Sequence, residues 1–167
     1  TFPVNGRFTA EQRELYSLVL DAQKAAVAVV APGGTAEAVH DTALRILVEG
    51  LVDLGLLIGD VDGIIERGDY RHLYMHRTGQ WLGLVVNDVG AYRLGEQPAP
   101  LEPGMVLTVE PGLYLSDRLS VPEGQPEIDD RWKGIGIRIE DDVAVTETGH
   151  EVLTAGALKS VAAMERS

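Results

Sequence analysis

The strongest constraint on the fold is a change of hydrophobic period near Gly68. Before it, apolar residues recur at helical spacing; after it, Gly and Pro punctuate short runs rich in Val, Ile, Leu and Tyr. Helices followed by strands predict an α+β domain, helices packed on an antiparallel sheet. Thr9 and Gln12 form a capping box, and Leu15, Leu18, Val19, Ala22, Ala26 and Val29 follow on one stripe, giving a helix over about 10–30 that ends at Pro32-Gly33-Gly34. Thr35 caps a second helix over 36–54, with Val39, Ala43, Ile46, Leu47, Leu51 and Leu54 on its apolar face and Gly55 as its C-terminal cap. A third, shorter helix runs from Asp60 to Gly68. Among the strands, Ile135 to Glu140 alternates cleanly, so Arg138 and Glu140 share the face opposite the isoleucines. Met105 to Glu110 reads as a strand delivered by Glu102-Pro103-Gly104 and stopped by Pro111-Gly112. Residues 141–146 and 151–153 form a closing hairpin, and the polar, aperiodic stretch 116–133 is a long surface loop.

Length and charge narrow the function. The 167 residues suit one domain, and 45% apolar content suffices for a core. Fourteen basic against 26 acidic residues give a net charge of −12, with no basic stripe, which excludes phosphate backbones and anionic lipid surfaces as partners. With no cysteine there is no disulfide, thiolate metal site or Cys nucleophile, so any chemistry falls to carboxylates. No apolar run is long enough to span a membrane, and the start lacks a basic segment followed by an apolar one, so the chain reads as cytoplasmic. Lacking an initiator Met and opening on a strand end and an Asn5-Gly6 turn, it also reads as a fragment of something longer.

Two carboxylates stand out. Glu110 ends an otherwise apolar strand and is locked by Pro111-Gly112; a solvated strand end or a salt bridge is the plainer account. Glu140 lies beside Arg138, with Asp141 and Asp142 next in sequence, an acid density that needs water, cations or a metal to relieve it. Two Glu from neighbouring strands with an Arg alongside suit the carboxylate half of a two-metal hydrolytic site. Of the histidines, His40 and His150 read as structural or solvated, while His72 and His76, placed on a strand, would share one face as a weak metal pair.

Longer strings carry a resemblance. Met75-His76-Arg77-Thr78-Gly79-Gln80-Trp81-Leu82-Gly83-Leu84, Asn87-Asp88-Val89-Gly90, the run from Leu101 to Tyr114 and the run from Gly134 to Asp142 closely resemble bacterial Xaa-Pro aminopeptidase (aminopeptidase P), of the M24 peptidases, over Thr1 to about Leu153. The resemblance implies the pita-bread fold of creatinases and aminopeptidases, of which this chain would be the C-terminal part as a single domain. It also implies a dinuclear site usually loaded with two Mn²⁺, and removal of the first residue of a peptide whose second residue is proline. In such enzymes two Asp, one His and two Glu hold the metals. Glu110 and Glu140 match the Glu ligands, His76 a site histidine that contacts substrate, Tyr114 a pocket tyrosine and Arg138 an arginine near the metals.

The departures matter as much. The hairpin bearing the family's two Asp would precede Thr1, Gln80 occupies the His ligand's place, Asn87 replaces a second site histidine and Val85 stands where an acid is expected. A neutral amide is a weaker ligand than imidazole and shuttles no proton near neutral pH. The expectation is therefore a chain of aminopeptidase lineage with impaired or no catalysis, holding one weak metal ion or none. The alternative is a metal-free pita-bread module that binds a peptide or protein. An uncovered sheet edge predicts a homo-oligomer.

Overall fold

A computed structural model describes residues 1–85 and 88–165. Three helices come first: α1 (Ala10–Ala28), α2 (Ala36–Asp53) and α3 (Val61–Arg67). Each begins where a side chain satisfies a free amide. Thr9 accepts from the Gln12 N–H, and the Gln12 side chain answers on the Thr9 N–H; Thr35 and Asp60 accept from Ala38 and Gly63. Gly68, at φ 74°, ends α3 in the left-handed conformation that favours glycine. A 3₁₀ turn, Asp69–His72, follows at once, so His72 lies on no strand and its Nδ1 donates to the Asp69 carbonyl at 2.8 Å. His72 and His76 therefore form no strand-face pair.

The strands are β1 (Arg93–Leu94), β2 (Gln97–Pro98), β3 (Val106–Val109), β4 (Gly112–Leu115), β5 (Ile135–Arg138), β6 (Asp141–Val145) and β7 (His150–Val152), with a short α4 (Val161–Met164) after them. β1 and β2 make a small hairpin; β3, β6 and β7 form one antiparallel ladder, and β4 and β5 another. Pro111-Gly112 interrupts the expected strand rather than stopping it, since β4 follows immediately. The expected strand 135–140 is likewise split, because Ile139 and Glu140 face the interruption. His150 belongs to β7, not the turn, and its Nδ1 donates to the Val30 carbonyl at 2.8 Å.

Helices and sheet share one core. α1 contributes Leu15, Val19, Ala22 and Ala26, α2 Val39, Ala43, Leu47 and Leu51, and the strands Leu107, Val109, Leu113, Leu115, Ile137 and Val143. At about 25 cal/mol per Å² of apolar surface buried, this layer supplies most of the drive to fold. It also leaves the opposite face of the strands open for polar work. The 116–133 loop is pinned by Gln125, which accepts from the Ile58 N–H at 2.9 Å and donates to the Ile58 carbonyl and to Asp69.

Candidate active site

The interruption between the two ladders is where the site forms. Val109 pairs with Asp141 and Gly112 with Arg138 in one unbroken register, which sets Glu110 across from Glu140 and Pro111 across from Ile139. Proline has no N–H to give the ladder. The pairing lapses there to a single long contact, from the Ile139 N–H to the Pro111 carbonyl at 3.4 Å. Alternation then puts Thr108, Glu110, Gly112 and Tyr114 on the same face as Gly136, Arg138 and Glu140.

On that face of the β4–β5 pair each large side chain stands opposite a glycine, Arg138 across from Gly112 and Tyr114 across from Gly136. A Cβ on Gly112 would come within 2.6 Å of the Tyr114 hydroxyl, so only glycine lets Arg138 and Tyr114 lean over this strand. The result is a continuous line of hydrogen bonds. The Arg138 guanidinium pairs with Glu110 Oε2 at 3.0 Å, and its Nε donates to the Tyr114 oxygen at 2.6 Å. His76 Nδ1 donates to the Arg77 carbonyl at 2.7 Å, so in the neutral ring Nε2 is the acceptor of the hydrogen bond that the Tyr114 hydroxyl donates across 2.9 Å. Glu110, buried to 8% exposure, has its other oxygen held by the Thr108 hydroxyl at 2.8 Å. Glu140 has no such saturation. Burial, together with the Glu110 and Asp142 carboxylates, pushes it above the usual carboxylate range, and Arg138 offsets only part of this.

The segment before Trp81 closes the other side of β3. Glu110 N–H donates to the Thr78 carbonyl at 2.6 Å, Thr108 N–H to the Gln80 carbonyl at 2.9 Å, and Trp81 bridges Leu107. This register places Gln80 opposite Thr108, next to Glu110. Gly79 permits the approach, since a Cβ there would fall 2.0 Å from the Thr108 carbonyl oxygen. Asn87 lies outside the described residues, and Val85 is exposed. Arg138 and Glu140 also border a hollow of about 400 Å³, lined further by Thr1, Tyr16, Leu158, Lys159 and Met164. A separate hollow of about 290 Å³ beside Trp81 and Met105 holds none of these site residues.

The structure thus brings His76, Glu110, Tyr114, Arg138 and Glu140 to one place with Gln80 at its margin. It separates Asp141, which the sequence reading grouped with the acids. Asp141 faces the other way and is buried, bonded to Gln23 at 2.7 Å, Thr154 at 2.6 Å and Lys159 at 2.8 Å. The alternation that sets Arg138 beside Glu140 already carried that signal. Thr78 and Thr108, which tie the site's backbone together, gave none, because their partners lie on other elements.

As a metal site the donor set is partial. Among the described residues no three His, Asp or Glu side chains gather into a cage. Glu110 and Glu140 offer two anionic oxygen donors in register, the type a hard divalent cation takes, and a cation on Glu110 would have to displace Arg138.

These features define the class: the chain belongs to metallopeptidase family M24, whose profile matches residues 1–147. It is similar to the Xaa-Pro aminopeptidase of Haemophilus influenzae, 51% identical over 99% of this chain and 36% of that protein, and to that of Escherichia coli, 49% identical over 95% and 34%. Among solved structures it matches aminopeptidase PepP of Pseudomonas aeruginosa with a TM-score of 0.91 at 50% identity, covering 99% of this chain and 36% of that one. E. coli aminopeptidase P with the inhibitor Pro-Leu matches at 0.88 and 47%, over the same shares. The fold is therefore the α+β pita-bread fold of aminopeptidase P, and the chain spans about a third of the length of these relatives.

Proposed function

We propose that this chain carries the glutamate side of a Xaa-Pro aminopeptidase site. In this reading it binds peptides with proline second through His76, Tyr114 and Arg138, and it offers Glu110 and Glu140 to a divalent metal such as manganese. It cleaves poorly or not at all. One observation carries the proposal: the hydrogen-bonded line Glu110, Arg138, Tyr114, His76 on the face that also holds Glu140. A bound cation would polarise the scissile carbonyl and make water nucleophilic at neutral pH. The chain's own residues position the peptide. The Tyr114 hydroxyl, now turned to His76, can instead donate to a peptide carbonyl, and Arg138 keeps that oxygen oriented while balancing the acids.

Catalysis is deficient because Gln80 supplies an amide where the family resemblance places an imidazole. An amide neither takes nor gives a proton near pH 7. The outer edge of β5 meets Thr1 at Arg138, where the Thr1 hydroxyl accepts from the Arg138 N–H at 3.0 Å. The acidic balance favours neither nucleic acid nor membrane as partner, and among the described residues no helix is long and apolar enough to cross a membrane. A cysteine-free chain suits the cytoplasm. The test is manganese retained after dialysis, measured with cleavage of a Xaa-Pro peptide and NMR titration with Pro-Leu. Fewer than two equivalents, shifts at His76, Tyr114 and Arg138, and no turnover are expected. Two equivalents with turnover overturn the deficiency, and unmoved signals at all three residues overturn peptide binding.

A further inference from the structure

Helix α2 reaches the site through His40. Its Nδ1 lies 3.2 Å from the Thr78 backbone nitrogen, whose N–H donates to it, and 2.8 Å from the Thr78 hydroxyl. Because Nδ1 accepts from the amide, it carries no proton, and the hydroxyl must donate to it as well. The Tyr74 hydroxyl, 2.6 Å from Thr78 Oγ1, then has only one direction left and donates to Thr78. Thr78 is 1% exposed and Tyr74 1% exposed, so water cannot substitute readily for any of these bonds. Burial, aided by the Arg77 and His76 charges, pulls His40 down to about 4, which keeps the ring neutral and Nδ1 open near pH 7.

The consequences reach two site residues. The carbonyl of the clamped Thr78 accepts the Glu110 N–H at 2.6 Å, and the Tyr74 ring meets the His76 ring edge-on with centroids 5.2 Å apart. We propose that His40 is a positioning residue: by clamping Thr78 from α2 it fixes the 76–80 segment against β3, and so sets Glu110 and His76 at the separation that Arg138 and Tyr114 bridge. The peptide-binding part of this rests on the function proposed above; the positioning part does not. Substrate never touches His40 in this scheme, and its effect passes through Thr78.

The test uses NMR on the whole chain with the dipeptide Pro-Leu as probe. His40→Leu removes the acceptor, whereas His40→Asn keeps an oxygen close to the Nδ1 position. In the ligand-free His40→Leu protein, the Glu110 amide and His76 ring signals should move while core signals of Leu15 and Leu113 stay. Pro-Leu affinity should fall about tenfold, the equivalent of one buried hydrogen-bonded contact. His40→Asn should return both readouts to near wild type. Should His40→Leu fail to fold, Thr78→Val, which removes only the hydroxyl, is expected to displace the same two signals. Unmoved Glu110 and His76 signals in the folded variant, or no rescue by His40→Asn, overturn the proposal. If no form binds Pro-Leu, the peptide-binding function fails, and the ligand-free signals still decide whether His40 positions the site.

Discussion

Glu140 and Asp141 are neighbours in the chain and alike in chemistry, yet the fold gives them opposite lives. Asp141 turns into the layer between β6 and α1, where Gln23, Thr154 and Lys159 take both of its oxygens, while Glu140 turns to the open face and meets a second carboxylate. One acid is saturated and holds elements together. The other is left with uncompensated negative charge, which is what a cation or a positively charged ligand group requires. The difference teaches that acid content along a sequence does not locate a site; incomplete satisfaction of the acids does.

The largest expected break in this contrast is Asp141→Ala. Removing one partner of a buried pair strands Lys159 and leaves Gln23 unsatisfied, at a cost of about 3–5 kcal/mol, which a urea unfolding midpoint would register. Acid should act next, through His40. The unfolded chain protonates this group near 6.5 and the folded chain near 4, so between those values the unfolded state binds more protons. Its contribution is complete above about 6.5 and falls as pH drops toward 4, by roughly 2 kcal/mol after allowance for the ring's partial exposure. Urea titrations across that window should show the slope in the wild type and lose it in His40→Asn.

The glycine pair on the open face gives a finer comparison. Gly112→Ala puts a methyl 2.6 Å from the Tyr114 hydroxyl and 2.8 Å from the Ile137 carbonyl, whereas in Gly136→Ala the nearest atom is a Tyr114 ring carbon at 3.6 Å. The first should cost about 1–3 kcal/mol and displace the Tyr114 and His76 NMR signals; the second should leave those signals in place. The smallest effect belongs to Glu140→Gln. With like-charge crowding relieved and no structural bond lost, stability at pH 7 should stay within about 0.5 kcal/mol of wild type by urea unfolding. A loss as large as that of Asp141→Ala would dissolve the distinction between the two acids.

Much of the architecture was legible locally. The caps at Thr9, Thr35 and Asp60 and the stop at Gly68 depend on residues three or four apart, and the alternation in 135–140 puts Arg138 and Glu140 on one face whatever they pack against. Family strings added His76, Glu110 and Tyr114 to the same site, and the structure gathers them there. Less legible was the course of the strands past Pro111: a proline followed by glycine reads as a stop, and only pairing with β5 and β6 shows the chain resuming in register as β4. Likewise His72 lies in a 3₁₀ turn that no hydrophobic period marks.

By itself, then, the sequence determined the helices, their ends, the two faces of β5 and the types of residue available for chemistry, because those follow from backbone geometry and spacings of a few residues. Tertiary structure alone decided that Glu110 stands across from Glu140 and that Arg138 bonds both Glu110 and Tyr114. It also decided that Lys159 goes to Asp141 and that His40 holds Thr78. Each of these joins residues at least 18 positions apart, and several depend on which face two strands share once paired. Such choices are set by register and by competition among buried partners, and neither exists until the sheet and helices have packed.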